Sequence, residues 1–358
     1  MFMNFDFISD EEGEIYDNVP PPRRPKLIRP RINPMDVWDE PEFFQRFRLS
    51  KATVNEILDQ ILPALQDSGR NDAVSPLNKL LMTLRFYATG SFFMEVGDFI
   101  GPEKSTTMRH IWTTTRAIVG LRQQHIYMPR NNEEIAQIQG RFYNMARFPR
   151  VIGVVDGTFI RIQSPGGADA ETFRNRKQYF AKNIQVVGGP SLEIQNIVTR
   201  WPGSAHDQTV FNASNIAHRL QAGEWGNHWI LGDTGYECRP YILVPLTAAN
   251  TAAQNLYNES FVRTRQSVER LIGVWKRRFP ILSTGIRITE ETLEKTDFYI
   301  VACAILHNIA IRNNEPEPPV DPAVPIFPDI VVQHNAVTLN HRIAARTELI
   351  ANYFTNLV

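Results

Sequence analysis

The chain has 358 residues, 43% of them hydrophobic, and a formal net charge of zero, enough to bury one large core or two modest ones. It holds no apolar run long enough to span a bilayer, and its start, MFMNFDFISDEEGEIYDNVP, lacks the basic-then-apolar pattern of a secretory signal, so neither a membrane span nor export is expected. The two cysteines, Cys238 and Cys303, have no metal-ligand spacing, which excludes a disulfide framework or a cysteine zinc site and fits a reducing compartment.

The zero charge is a sum of unlike parts. Residues 1–20 carry only acids and residues 21–32 only bases, and the stretch from 313 is again acidic, so the remaining body is mildly basic at about +4. Such a body suits DNA and equally suits an ordinary solvated surface. Residues 1–36 combine acid runs, three consecutive prolines and PKLIRPRINP, and are expected to form a disordered arm. The run RRPKLIRPR reads as a nuclear-import or phosphate-contacting segment, which points to the nucleus, with the cytoplasm also open.

Residues 37–147 are expected to form a helical, helix-turn-helix-like domain. Val54, Ile57, Leu58, Ile61 and Leu62 recur at helical spacing, and PLNKLLMTLRFYATG ends at Gly90, a natural C-cap. FFMEVGDFIG, a turn at Gly101-Pro102 and KSTTMRHIWTTTRAIVGL then make a helix–turn–helix layout. In its functional reading Lys104, Ser105, Thr106, Thr107 and Arg109 face a DNA groove; in its bland reading they are exposed residues of a bundle.

Composition changes after Phe148-Pro149-Arg150. VIGVVDGTFIRIQ, NIQVVGG, LEIQNIVTRW, HWILGD and YILVPL read as strands. DQTVFNASNIAHRLQAG, SFVRTRQSVERLIGVWKRRF and EKTDFYIVACAILHNIAIR read as helices. Residues 148–312 are therefore expected to form an α/β layer domain. Residues 313–358 follow as a proline-rich linker and a last short helix.

Three carboxylates stand where chemistry can use them. Asp156 follows the apolar run VIGVV and precedes Gly157-Thr158; Asp233 follows WILG and precedes Thr234-Gly235-Tyr236. A carboxylate at the end of a buried strand is costly unless paired or bound to metal, and two of them beside glycines suggest one shared site at the strand ends. Glu269 lies on a helix whose Val268, Leu271, Ile272, Trp275 and Phe279 form a packing stripe, while Arg265, Gly273 and Lys276 share its own face. Gly273 is expected to leave room for a backbone, metal or phosphate. Lys276, Arg277 and Arg278 are expected to form a cationic edge for a phosphodiester backbone, which the acidic start would cover until displaced. Singly, each acid has a plainer account: the aspartates as turn formers, Glu269 as partner of Arg265. Jointly they form an oxygen donor set for hard divalent ions, Mg²⁺ or Mn²⁺. Asp207, in WPGSAHDQTVF, is either an accessory site residue or, like Ser204, a helix N-cap.

These stretches resemble the PIF/Harbinger transposases and the Harbinger transposase-derived nucleases. The resemblance is carried by Val155-Asp156-Gly157-Thr158, Asn175-Arg176-Lys177, Trp201-Pro202-Gly203-Ser204 with His206-Asp207, Leu231-Gly232-Asp233-Thr234-Gly235-Tyr236, Val268-Glu269-Arg270 continuing to Phe279, and Leu306-His307-Asn308. It implies a ribonuclease-H-like DDE core over 148–312, with Asp156 and Asp233 on strands, Glu269 on a helix and Asp207 near the metal site. It further implies divalent-metal-dependent cleavage and transfer of DNA strands, with phosphate contacts from Arg176 and Lys177. A separate Myb-like DNA-binding protein is the implied partner, and a homodimer is a further assembly open to the chain. The sequence departs from the family where Gln178 and Phe180 replace a common glycine and histidine, where Gly188-Gly189 replaces an aspartate, and at Phe261; none of these is a proposed metal ligand. The alternative is a domesticated, catalytically silent DNA-binding or scaffold protein. Walker and dinucleotide loops and a Gly-x-Ser-x-Gly elbow are absent from the sequence.

Overall fold

The computed structural model describes residues 33–65, 74–287, 293–320 and 344–358. Residues 1–32 of the expected arm, including its acidic and basic runs, lie outside them, as does the stretch 321–343. The helices before the first strand are α1 (Pro34–Val37), α2 (Glu40–Phe47), α3 (Lys51–Ile61), α4 (Pro76–Thr89), α5 (Phe93–Ile100), α6 (Lys104–Gly120), α7 (Arg122–His125) and α8 (Asn132–Ala146). There follow β1 (Val151–Arg161), β2 (Ala181–Gly188), β3 (Ile194–Pro202), α9 (Asp207–Asn212), α10 (Asn215–Gln221), β4 (Trp229–Leu231) and β5 (Ile242–Leu243). The chain closes with α11 (Ala252–Arg278), α12 (Ile281–Thr284), α13 (Leu293–Arg312) and α14 (Ala344–Asn352).

Local chemistry sets these boundaries. Ser50, Ser75 and Asn131 accept backbone N–H bonds at the starts of α3, α4 and α8, and Thr251 with Gln254 forms a capping box on α11. Gly90, at φ 64°, closes α4 as its position after the apolar run predicts. At the predicted turn between α5 and α6, Gly97 is needed: a Cβ there would lie 2.4 Å from the Pro102 carbonyl oxygen and 2.7 Å from Thr107 Oγ1. Thr107 itself is buried against that turn and bonds the Pro102 carbonyl, so it faces the turn rather than a groove.

All five predicted strands are present and form one mixed sheet in the order β3-β2-β1-β4-β5. β1, β2 and β3 pair antiparallel, and β4 and β5 run parallel to β1. Helices flank this sheet, an arrangement consistent with the DDE nuclease fold. Every residue of β2 is buried, as a central strand covered on both faces requires. α11 packs on β1 and α13 on β3, while Val155 and Val187 pack with Phe211 and Ile216 of α9 and α10 in a second apolar cluster.

The main core crosses the 147/148 boundary without a break, from Phe43 to Phe354. α6 packs on α13 and α4 on α12, so helical and sheet portions share their apolar interior. Phe354 joins Phe148, Tyr257 and Phe261 in one aromatic group, which ties the end of the chain to α11.

Candidate active site

Strand pairing brings two of the three acids together. Val154 of β1 stands opposite Leu231 of β4 in parallel register. Asp156 and Asp233 each come two residues later, so both project from the same end of neighbouring strands. Gly157 N–H bonds the Asp156 carboxylate at 3.0 Å and Gly235 N–H bonds Asp233 at 2.9 Å. The third acid arrives through α11: Arg265 donates to Asp156 Oδ2 at 3.2 Å and to Glu269 Oε1 one turn along the helix. Burial works to lower the Arg265 pKa, and the charges of Asp156, Asp233 and Glu269 more than offset it, leaving the pKa raised. One guanidinium thus senses all three acids, a joint signature that the isolated Arg265–Glu269 helix pair does not account for.

Asp207 reaches the same place from the other face of β1. It opens α9, but the cap is His206, with no side-chain capping bond, so the N-cap account of Asp207 does not hold. Its carboxylate instead accepts from Asn183 Nδ2 at 2.8 Å. Gly157 admits it, since a Cβ there would lie 2.4 Å from Asp207 Oδ1. Asp207, Asn183, His206, Phe159 and Arg176 line a cleft of about 200 Å³. Tyr236 is buried beside it, its pKa pushed well up by burial and then by Asp207, Asp156 and Asp233. Asn183, Tyr236 and the bridging position of Arg265 are what the sequence reading missed as site features. Tyr236 and Arg265 were at least marked by lying beside the acids, whereas Asn183 had no local signal.

The donor set is entirely carboxylate oxygen, which suits a hard divalent cation rather than a soft one. Among the described residues, no three histidine, cysteine or acidic side chains stand close enough together to hold one ion as they are placed. Arg265 stands between Asp156 and Glu269, bonded to both.

The expected cationic edge on α11 needs correction. Lys276 is 6% and Arg278 0% exposed. Lys276 donates to the Phe159 carbonyl, and Arg278 bonds the Arg48 and Pro316 carbonyls, each at 3.0 Å. Burial lowers the Arg278 pKa to about 10 against the opposing pull of Glu315 and Glu317. Arg277 pairs with Glu317, which also takes Arg270. The reason is that β1 meets Lys276 while the Arg48 loop and residues 313–320 close over Arg277 and Arg278, whereas a sequence run of cations carries no sign of what covers it. No acidic start is needed to cover it. Gly273 is likewise not a close-approach position, since a Cβ there meets only the end of Arg277 at 3.6 Å.

Of the other predicted DNA contacts, Arg176 is exposed at the cleft. Lys177 sits in a turn organised by buried Asn175, whose Oδ1 accepts from the Lys177 and Tyr179 backbone. Lys104 and Arg109 are exposed on α6, outside the residues that line the cleft. Leu306-His307-Asn308 is architectural: Asn308 clamps both backbone groups of Ile194 and the His125 carbonyl.

A family model for the DDE superfamily endonucleases matches residues 155–308, a span that holds all four acids. The protein named Putative nuclease HARBI1 from Mus musculus is 32% identical over 242 residues, 68% of this chain and 69% of that one. The chain belongs to the Harbinger transposase-derived nuclease family. Its Xenopus laevis relative of the same name is 27% identical over 80% of this chain and 82% of its own, and the Arabidopsis thaliana protein named Protein ALP1-like is 21% identical over 77% and 75%. No solved structure matches significantly. Among the described residues, no helix is long and apolar enough to cross a membrane.

Proposed function

We propose that this chain is a divalent-metal-dependent DNA endonuclease of the transposase type, with Asp156, Asp233 and Glu269 as its catalytic acids and Asp207 as a fourth metal-site residue. The observation that carries the reading is the convergence on Arg265 of acids from β1, from the end of β4 and from α11. A bound Mg²⁺ or Mn²⁺ would supply Lewis-acid polarisation of the phosphate and would activate a water, or a 3′-hydroxyl of the DNA, as nucleophile at neutral pH. The chain supplies the rest. The Gly157 and Gly235 amides orient two carboxylates, Asn183 holds Asp207 against β1, and Arg176 stands at the cleft mouth to meet a phosphate. Asp156, Asp233 and Glu269 would hold the ion, and Arg265, which bonds Asp156 and Glu269, would be placed to meet negative charge on the scissile group.

The α5–α6 pair, with Lys104 and Arg109, is assigned to flanking duplex in the same proposal. A Myb-like DNA-binding partner is included on the strength of the family resemblance, a nuclear location on the basic run RRPKLIRPR, and a homodimer as a further assembly open to the chain. A catalytically silent DNA-binding protein is the competing reading, favoured by the hold of Arg265 on Asp156 and Glu269. Calorimetric titration with Mg²⁺ or Mn²⁺ of the wild type, Asp156→Ala and Glu269→Ala, followed by a plasmid-nicking assay, separates them. The endonuclease requires metal binding and nicking that both variants lose. Equal binding by all three proteins would show the site to be misassigned, and binding without nicking would favour the silent protein.

A further inference from the structure

We infer that a trough running from the Asp207 cleft along the end of β1 to the start of α5 binds an unpaired DNA strand beside the cleavage point. The inference rests on the endonuclease reading of the cleft and adds the form of substrate that its flank accepts. Alternation along β1 places Gly157, Phe159 and Arg161 on one face. Thr158 and Ile160, on the other, are buried. Asp207 lies over Gly157, and Phe159 lines the same cleft with the Arg176 guanidinium 5.8 Å from its ring centre. Next along the strand, Arg161 stands 5.5 Å from the ring of Tyr179. Beyond it Arg287 lies 4.0 Å over the ring of Phe92, a residue 55% exposed.

Backbone pairing holds this end in place. Ile286 N–H bonds the Arg161 carbonyl at 2.9 Å and Gln163 N–H bonds that of Ile286 at 3.0 Å. Arg287 in turn donates to the Gly90 carbonyl at 2.5 Å. Arg161, Tyr179, Phe92 and Arg287 line a concavity of about 550 Å³, and no carboxylate is among its described lining residues.

Single guanidinium–ring pairs are common and by themselves only cover an exposed ring. Here three follow one another outward from Asp207, each with its own guanidinium, and Phe92 at the far end is an exposed residue. Phosphates answer the charge, but flat rings and guanidinium planes gain stacking only against base faces that a duplex keeps covered. From Gly157 to Arg161 the strand covers roughly 13 Å, and at about 3.4 Å per stacked nucleotide this stretch takes roughly four before Arg287 and Phe92 are reached.

Fluorescence polarisation with the full chain, in EDTA so that cleavage plays no part, tests this on a blunt duplex and on the same duplex with an unpaired tail. Wild type is expected to bind the tailed DNA more tightly. Phe92→Ala, at an exposed position that the fold does not depend on, is expected to weaken tailed binding about tenfold while changing blunt binding less than twofold. Arg161→Gln with Arg287→Gln is expected to reduce the salt slope for tailed DNA by about 1.4, at about 0.7 per lost phosphate contact. Equal affinity for the two DNAs, or a Phe92→Ala loss shared by both, would overturn the inference. The two readings fail separately. Tailed-DNA binding that depends on Phe92 without metal-dependent nicking removes the endonuclease, and nicking with binding indifferent to Phe92 removes the trough.

Discussion

Replacing Tyr236 by phenylalanine separates the stability of the fold from the chemistry of the cleft. The residue is 4% exposed, its ring edge-on to Phe211 at 5.7 Å and close over Gly232, where a Cβ would lie 2.8 Å from Tyr236 Cδ2. The ring is therefore held by packing that phenylalanine preserves. Its hydroxyl has no hydrogen-bond partner among the described residues, yet it stands in the field of Asp207, Asp156 and Asp233. A hydroxyl buried without a partner costs ~1–3 kcal/mol. Its removal is expected to stabilise the protein by ~1 kcal/mol, a rise in melting temperature of about 2 °C for a chain of this size. The same O–H is a donor to a water held among the acids, and losing one such donor is expected to slow nicking by about tenfold or more. Stability and activity thus move in opposite directions. Thermal denaturation and plasmid nicking on the same preparation read both. A variant that melts lower than wild type, or that nicks at the wild-type rate, would refute the role assigned to the hydroxyl.

Gly157→Ala drives a methyl against Asp207 Oδ1, so Asp207 must leave Asn183; metal affinity by calorimetry is expected to fall at least tenfold with a stability loss of only ~1–2 kcal/mol, and unchanged affinity would remove Asp207 from the site. Arg278→Met leaves the Arg48 and Pro316 carbonyls without their donor; urea unfolding is expected to show a loss of ~3 kcal/mol, with DNA affinity of the folded protein unchanged because the side chain is not on the surface. Burial lowers the pKa of His307 to about 3 and that of His125 to about 4, the latter with the Arg312 charge assisting. Below about pH 6.5 the unfolded chain takes up protons that the folded chain refuses, so stability falls with pH; at pH 5 each histidine costs ~2 kcal/mol relative to pH 8. Urea midpoints that stay level between pH 8 and pH 5 would contradict this.

Strands, helices and two of the acids were legible from short-range pattern alone. The five strands announced themselves by β-branched alternation between glycines and prolines, Gly90 by its place after an apolar helix run, and Asp156 and Asp233 by ending apolar strands beside glycine. Such features depend on backbone geometry over a few residues, and the amino acids concerned carry their own signal. Asn183 at Asp207 was not legible, because the contact exists only once β2 pairs with β1 and α9 folds over Gly157. Arg265 read as an ordinary helix partner of Glu269 until α11 packed on β1 and brought Asp156 within its reach. Lys276 and Arg278 read as surface for the complementary reason. A helical period tells which residues share a face, but the neighbours that cover that face come from distant parts of the chain, here β1, the Arg48 loop and residues 313–320. Whether a charge meets solvent, a carbonyl or another charge is decided by those long-range contacts, and they arise only when the whole core closes.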